Sequence, residues 1–416
     1  MSESGAEKPT TGRLGGGIAA LMSSNVIGAV LAFALSILIG RAAGESGLGI
    51  YAAAVAWVFP LAMLVDAGVG TLISRDLVYP NAPTSRAYVR AALVARLMMG
   101  VPAMLLLVAA APVLAGSSEV RDGLLISAPL IVIIPLVGTF TAVFRARRRM
   151  RPAAMLNVGM LLSQVALTIV VFNAGYGVTG ALWVNVITSA GQLAAAYAIW
   201  RVSFAEPAGG DAVNVRDLLR RAFPFAVAAV IAAAQMRLNV VLLERVASAE
   251  QAGAYTAAAR FVEAGRLVPQ AVFDAMLPFL TLLVAQPVRF LNLMNTARRG
   301  LIAYGAVFGV FVWVFAYVLV GVFFGESFSS SPEVLRVLAW SLLPMSLKYL
   351  RGLYWYAHKY EGWVNRVSLI ALAGQAAAAL VVLPAYGALG AAWVALISEA
   401  VTAAVLWFID PRETPQ

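Results

Sequence analysis

The chain has 416 residues, of which 62% are hydrophobic and 12% are charged, and its formal net charge is +10. This composition excludes a soluble globular protein and is typical of a protein that crosses the membrane many times. With no cysteine and one histidine, His358, the chain offers no disulfide, thiolate or histidine-built metal site, and we expect no cofactor. The positive charge is expected in cytoplasmic loops, so nucleic acid is not an expected partner.

Apolar stretches along the chain predict an all-α polytopic membrane protein with about twelve transmembrane helices. The predicted spans are 18–40, 48–73, 88–115, 123–145, 153–174, 178–201, 218–244, 251–285, 297–323, 333–357, 363–383 and 387–409. They form two predicted lobes of six helices, 18–201 and 218–409, joined by a linker at 202–217 and flanked by tails at 1–17 and 410–416.

Arginine and lysine are concentrated in every second loop and are scarce in the loops between. The richest cluster lies at 145–151, whereas the loop at 174–177 has no charge. Cationic loops remain on the cytoplasmic side, so both termini are predicted to lie in the cytoplasm.

Two blocks of residues recur in the second half at nearly constant offsets. Arg41, Gly49 and Tyr51 lie 204 positions before Arg245, Gly253 and Tyr255, and Tyr176, Gly177, Gly180, Ala181 and Trp183 lie 210 positions before Tyr386, Gly387, Gly390, Ala391 and Trp393. Six helices is an even number, so the two lobes are parallel repeats. Transporters built in this way hold their site between the halves, near the middle of the bilayer, which predicts a central cavity.

The eighth span carries an unusual polar face. At about 100° per residue, one third of its circumference holds Thr256, Arg260, Glu263, Arg266, Gln270 and Asp274. A charge at the bilayer centre costs about 2.5–3.5 kcal/mol on insertion scales, so this face meets water, other charges or a polar ligand. The alternative is a set of internal ion pairs that only hold the bundle together, such as Arg260 with Glu263.

A pattern of glycines and charges near the start of the chain carries a family resemblance. It comprises Gly40, Arg41, Gly44, Glu45, Gly47, Gly49, Tyr51, Asp66, Gly68 and Arg75, and the Gly177 and Gly387 blocks add to it. The pattern resembles bacterial polysaccharide flippases of the multidrug/oligosaccharidyl-lipid/polysaccharide superfamily. The resemblance implies two six-helix lobes around a V-shaped cavity in the bacterial plasma membrane. It also implies alternating-access movement of an isoprenoid-diphosphate-linked oligosaccharide to the outer leaflet, with membrane lipids and polysaccharide assembly proteins as further partners.

A diphosphate needs cations along its path, and arginine presents planar, bidentate donors to phosphate. The predicted substrate-binding residues are therefore Arg237, Arg260, Arg266, Lys348 and Arg351. Arg237 and Arg260 are expected at one depth, roughly 12–13 Å below the outer surface. Since intramembrane carboxylates commonly relay ions, Asp66, Glu263 and Asp274 are the candidate ion-coupling residues.

Three other classes of protein were compared with the flippase hypothesis. A drug or cation exporter of the same superfamily should carry a carboxylate in the first lobe, but the first span is uncharged. An enzyme needs catalytic groups on a sizeable outer loop, and these loops are too short, so we predict no enzyme. A non-transporting scaffold for polysaccharide assembly remains an open alternative.

The role of the aromatic cluster around Tyr349 and Tyr354 is also open, because such a cluster can bind sugar or form an interfacial belt. Lining and packing roles are equally open for Gln164, Asn185, Gln192 and Glu399.

Overall fold

The computed structural model of the protein describes residues 11–77, 84–203 and 213–410. Within these ranges the chain is almost entirely helical and has no β-strand. Helices of the first half are α1 (Thr11–Asp66), α2 (Val69–Asp76), α3 (Ser85–Leu114), α4 (Ser118–Ser127), α5 (Leu130–Ala146), α6 (Met150–Asn173) and α7 (Gly177–Ser203). The predicted linker core at 204–212, and residues 1–10 and 411–416 of the predicted tails, lie outside the described residues.

The second half also has seven described helices. Its helices are α8 (Val215–Val246), α9 (Ala249–Gly265), α10 (Leu267–Leu283), α11 (Pro287–Phe323), α12 (Ser331–Trp340), α13 (Leu342–Ala357) and α14 (Glu361–Phe408), with a 3-10 turn at Glu326–Phe328.

Two helices are too long for a single crossing. An unbroken α1 of 56 residues would be roughly 84 Å long, against about 30 Å for the hydrocarbon core. The backbone instead turns at Gly44, where φ is 70°, and at Gly387 in α14, where φ is 51°. Positive φ at these glycines reverses the chain, so α1 and α14 each supply two crossings.

Four crossings are interrupted by a short break. The breaks lie at Ala67 and Gly68 between α1 and α2, at Pro129 between α4 and α5, at Arg266 between α9 and α10, and at Ser341 between α12 and α13. In both halves they fall in the second and fourth crossings. With each interrupted pair taken as one crossing, the described helices give the twelve predicted spans, and the fold class is confirmed.

The repeated glycine block builds the same turn in both halves. Gly177 and Gly387 have φ values of 56° and 51°. A Cβ on Gly180 would lie 2.7 Å from the Cβ of Tyr176, and one on Gly390 would lie 2.8 Å from the Cβ of Tyr386. The recurrence of these residues therefore follows from one shared backbone conformation.

The first helix begins earlier than its hydropathy indicates. Helix α1 starts at Thr11, seven residues before the predicted span, so residues 11–17 are helical and do not form part of an irregular tail. Hydropathy marks the part of a helix that lies in lipid, whereas backbone hydrogen bonding continues beyond it.

The largest buried apolar cluster closes one end of the bundle. Its members include Ile39 and Leu48 from α1, Leu243 from α8, Ala257 from α9 and Phe324 after α11. We call this end the charge-poor end, since it holds the connections 115–117, 174–176, 247–248 and 324–330. The sequence predicts that it faces outwards.

Candidate functional site

A cavity of about 720 Å³ lies among the helices of the second half. Its described wall comes from α8, α9, α10, α12, α13 and α14, and within the described residues Ala52 is the contribution of the first half. The charged lining residues are Arg237, Arg260, Glu263, Arg266, Asp274, Lys348 and Glu399. The site predicted between the two halves is thus asymmetric, because its charged wall belongs to the second half.

The polar face predicted for the eighth span faces this cavity. All six of its residues, Thr256, Arg260, Glu263, Arg266, Gln270 and Asp274, line the wall. The face continues across the break between α9 and α10 because Arg266 keeps helical backbone angles, with φ −65° and ψ −20°. The helical period therefore survives the interruption.

Glu263 lies between two arginines of the cavity wall. The Nη1 of Arg260 is 2.6 Å from Glu263 Oε2, and the Nη1 of Arg237 is 3.9 Å from Oε1. The two arginines keep 18% and 22% of their side-chain surface exposed, so a ligand in the cavity can reach them. Their Nε atoms are buried and have no hydrogen-bond partner among the described residues. Two guanidiniums therefore share one carboxylate.

The remaining cations have different partners. Lys348 Nζ on α13 is 2.6 Å from Glu399 Oε2 on α14. The Nη2 of Arg266 donates to the hydroxyl of Tyr349 at 3.1 Å, which is a neutral partner. Asp274 makes no ion pair within the described part of the chain. Four cations therefore meet three carboxylates in the cavity.

Arg351 does not line this cavity. Its Nε donates to the carbonyl of Leu406 at 3.1 Å, and its guanidinium lies 4.3 Å from the ring centroid of Tyr354 and 4.7 Å from that of Trp355. Trp355 is fully buried, so Arg351 stacks on a ring that packs inside the second half, whereas Tyr349 and Tyr356 line the cavity. With Arg351 outside and Glu399 inside, the cationic surplus is one charge.

Asp66 lies in the first half, away from the cavity lining. It pairs with Arg96 of α3, whose guanidinium also donates to Thr139 of α5. Arg96 is fully buried, and it is not among the residues predicted from the sequence. The sequence signal for a buried charge here was the presence of an arginine at the ninth position of the predicted span 88–115.

In each half, a buried tyrosine hydroxyl accepts a hydrogen bond from a side-chain amide. In the first half, Gln164 donates to the Tyr51 hydroxyl at 3.1 Å. In the second half, Asn239 stands between the equivalent groups: it donates to the Tyr255 hydroxyl at 3.0 Å and accepts from Gln375 at 3.2 Å. Gln164 thus packs between helices, whereas Asn239, Tyr255 and Gln375 line the cavity.

Comparison with known proteins gives one family match and several related folds. The family model described as "Polysaccharide biosynthesis protein" matches residues 14–283. Among curated proteins, no sequence matches this chain.

Three solved structures have a similar fold. An inward-facing multidrug resistance MATE family transporter of the MOP superfamily shares 16% identity, with a TM-score of 0.76 over 91% of this chain and 93% of that chain. The lipid II flippase MurJ in an inward closed conformation shares 14% identity, with a TM-score of 0.76 over 93% of this chain and 86% of that chain. A MOP superfamily transporter from Pyrococcus furiosus, described by the reverse polarity of its binding pocket, shares 15% identity, with a TM-score of 0.63 over 96% and 97% of the two chains.

At these identities the likeness shows the fold, which is that of transporters of the MOP (multidrug/oligosaccharidyl-lipid/polysaccharide) superfamily. This fold agrees with the family resemblance found in the sequence. The family match is independent of that likeness and covers well over half of the chain. The chain belongs to the polysaccharide biosynthesis protein family.

Proposed function

We propose that this protein moves an isoprenoid-diphosphate-linked oligosaccharide from the inner to the outer leaflet of the plasma membrane by alternating access. The family match and the fold support transport in polysaccharide assembly, and both termini are taken as cytoplasmic from the loop charges. Membrane lipids and polysaccharide assembly proteins are the further partners of this proposal.

The observation that carries the proposal is the carboxylate shared by Arg237 and Arg260. Each guanidinium can form two parallel hydrogen bonds with one anionic group. Glu263 offers only two oxygens to both arginines, one at 2.6 Å and the other at 3.9 Å. A diphosphate in the cavity would supply the missing acceptors and also balance Arg266, whose partner is the neutral Tyr349.

One observation favours a second candidate, a cation exporter. Asp274 lines the cavity and has no cationic partner among the described residues, and an unpaired carboxylate is suited to an organic cation. The two proposals differ in the charge of the transported molecule. The test is a transport assay in which the reconstituted protein is offered lipid-linked diphosphate glycans and, in parallel, lipophilic cations. If neither class of molecule is transported, the result favours a scaffold.

Arg237 and Arg260 would together hold the diphosphate, and we call this pair the clamp. The clamp is tested by substitutions at Arg260 in proteoliposomes. Arg260→Lys keeps the charge but loses the planar fork, so transport should fall roughly tenfold, which corresponds to about 1.4 kcal/mol. Arg260→Ala should reduce transport further. The matched control is Arg336→Lys, because Arg336 makes a similar i,i+3 ion pair with Glu333 at 3.1 Å but lies outside the cavity lining.

A double substitution separates the clamp from a purely structural ion pair. If Arg260 only neutralises Glu263, Arg260→Ala should lower protein abundance, and Arg260→Ala with Glu263→Gln should restore both abundance and transport. If Arg260 binds substrate, the double change restores abundance while transport stays low. Recovery of transport in the double variant contradicts the clamp.

A further inference from the structure

The two halves meet most closely at the charge-poor end, where α1 beyond Gly44 crosses α9. A Cβ built on Gly49 would lie 1.7 Å from the carbonyl oxygen of Ala249, and one built on Gly253 would lie 1.9 Å from the carbonyl oxygen of Glu45. These are distances to backbone, which cannot rotate away as a side chain can. Only glycine at both positions allows the two helices to approach this closely.

The contact is reciprocal. Gly253 lies 204 positions after Gly49, and Ala249 lies 204 positions after Glu45, which is the offset of the repeated Arg41 and Tyr51. Each half therefore presents the same position of its second crossing to the same position of the other half. Such a contact is self-complementary, like an interface across a two-fold axis.

Hydrogen bonds between the halves surround this contact. The Nε of Arg41 donates to the carbonyl of Phe323 at 2.9 Å, at the end of α11. In the opposite direction, Glu244 of α8 accepts from the backbone N–H of Gly116 at 2.8 Å. Both bonds join helix ends of different halves, so they form only while the halves are close at this end.

The glycine contact lies directly above the cavity. Ala52 and Thr256, which line the cavity, are each three residues beyond Gly49 and Gly253, or about one helical turn. We propose that Gly49 and Gly253 form the outer gate of the transport path, and that the cavity opens at the charge-poor end only when their two backbones separate. The inference rests on the proposed transport activity but requires neither a particular substrate nor the arginine clamp.

The gate is tested first by the access of a thiol reagent to the cavity. The chain has no cysteine, so Ala259→Cys places a single thiol in the cavity wall. A membrane-impermeant maleimide is then applied to the face where the charge-poor loops emerge. Gly49→Ala and Gly253→Ala should each speed labelling at least tenfold, because the added methyl group holds the contact apart.

The matched controls are Gly191→Ala and Gly374→Ala, where an added Cβ meets nothing within 4 Å. Both should label within twofold of the parent. Labelling of folded Gly49→Ala and Gly253→Ala at the parental rate overturns the gate. Because this readout needs no substrate, it can succeed even if the proposed glycan is not transported.

A cross-link tests the same gate in the other direction and does not depend on the alanine variants folding. Ser46 and Glu250 are also 204 positions apart, and each lies three residues, or about one helical turn, before the glycine of its own helix in the contact. In Ser46→Cys/Glu250→Cys, a short, cleavable cross-linker with two thiosulfonate groups, each of which forms a disulfide with one thiol, should stop transport, and its cleavage should restore transport. The control pair Glu333→Cys/Arg336→Cys lies within α12 and should carry the same link without loss. Full transport in the linked 46–250 protein overturns the gate.

Discussion

Arg96 lies fully buried in the first half, where its guanidinium contacts Asp66 on α1 and Thr139 on α5. The pair lies against Gly70 and Gly138, where an added Cβ would lie 3.5 Å and 3.4 Å from Asp66 Oδ1, at ordinary contact distance. A charge inside a membrane bundle needs a partner, because the cost of leaving it alone in a low-dielectric interior is large. The pairing supports a structural role for Asp66, whereas Asp274 keeps its carboxylate facing the cavity.

We expect Arg96→Ala to destabilise the folded protein by about 3 kcal/mol, at the lower end of the range for a broken buried ion pair, because Asp66 loses its cation but is only partly buried. Arg96→Met combined with Asp66→Asn should recover most of that loss. Thermal unfolding in detergent measures both effects. The control is Arg90→Ala on the same helix, whose side chain is exposed and whose loss should change stability little. Failure of the double variant to recover would show that Asp66 has a role beyond balancing Arg96.

At the scale of elements, the interrupted and reversed helices decide where side chains meet. Hydropathy predicted the twelve spans and the helical period predicted the polar face of the eighth, because both are properties of a single helix. The break at Ser341 also has a signal within one helix, because Pro344 has no N–H to donate to the carbonyl of Trp340 four residues before it. By contrast, the ion pair of Lys348 with Glu399 and the hydrogen bond from Arg351 to Leu406 depend on α13 packing against α14, which no single-helix pattern contains.

The two repeated turns give a matched prediction. Gly177→Ala places a side chain at φ 56° in open space, so it should cost only the backbone strain of about 1–2 kcal/mol. Gly387→Ala should cost more, because its Cβ would lie 2.3 Å from Gln251 Oε1. That oxygen accepts from the backbone N–H of Ala388 at 2.7 Å, and the collision would break this bond.

Thermal unfolding of both variants, with Gly374→Ala as the control, shows whether Gly387→Ala loses more stability than Gly177→Ala. Gly374 lies inside α14 with nothing near its added Cβ, so alanine there should be neutral or slightly stabilising. Equal losses at Gly177 and Gly387 would contradict the contact with Gln251.

For the whole molecule, the alternation of cationic loops predicts the orientation in the membrane. Ser118→Cys at the charge-poor end and Glu361→Cys at the other end place single, exposed thiols at opposite ends of the bundle. An impermeant reagent added to intact cells should label Ser118→Cys and leave Glu361→Cys unlabelled until the cells are opened. Labelling of both from outside would contradict the twelve-span topology.

The two halves share the same turns but differ in their charged residues, and they therefore contribute differently to the cavity. The first half touches the cavity, within the described residues, through Ala52, while the second supplies the charged wall. Selection for substrate specificity would then act on the second half of the chain. The first half would be constrained mainly by folding and by its packing against the second half. Related chains with different substrates should accordingly differ in the charged residues of the second half, while substitutions in the first half should fall mainly on its apolar surfaces.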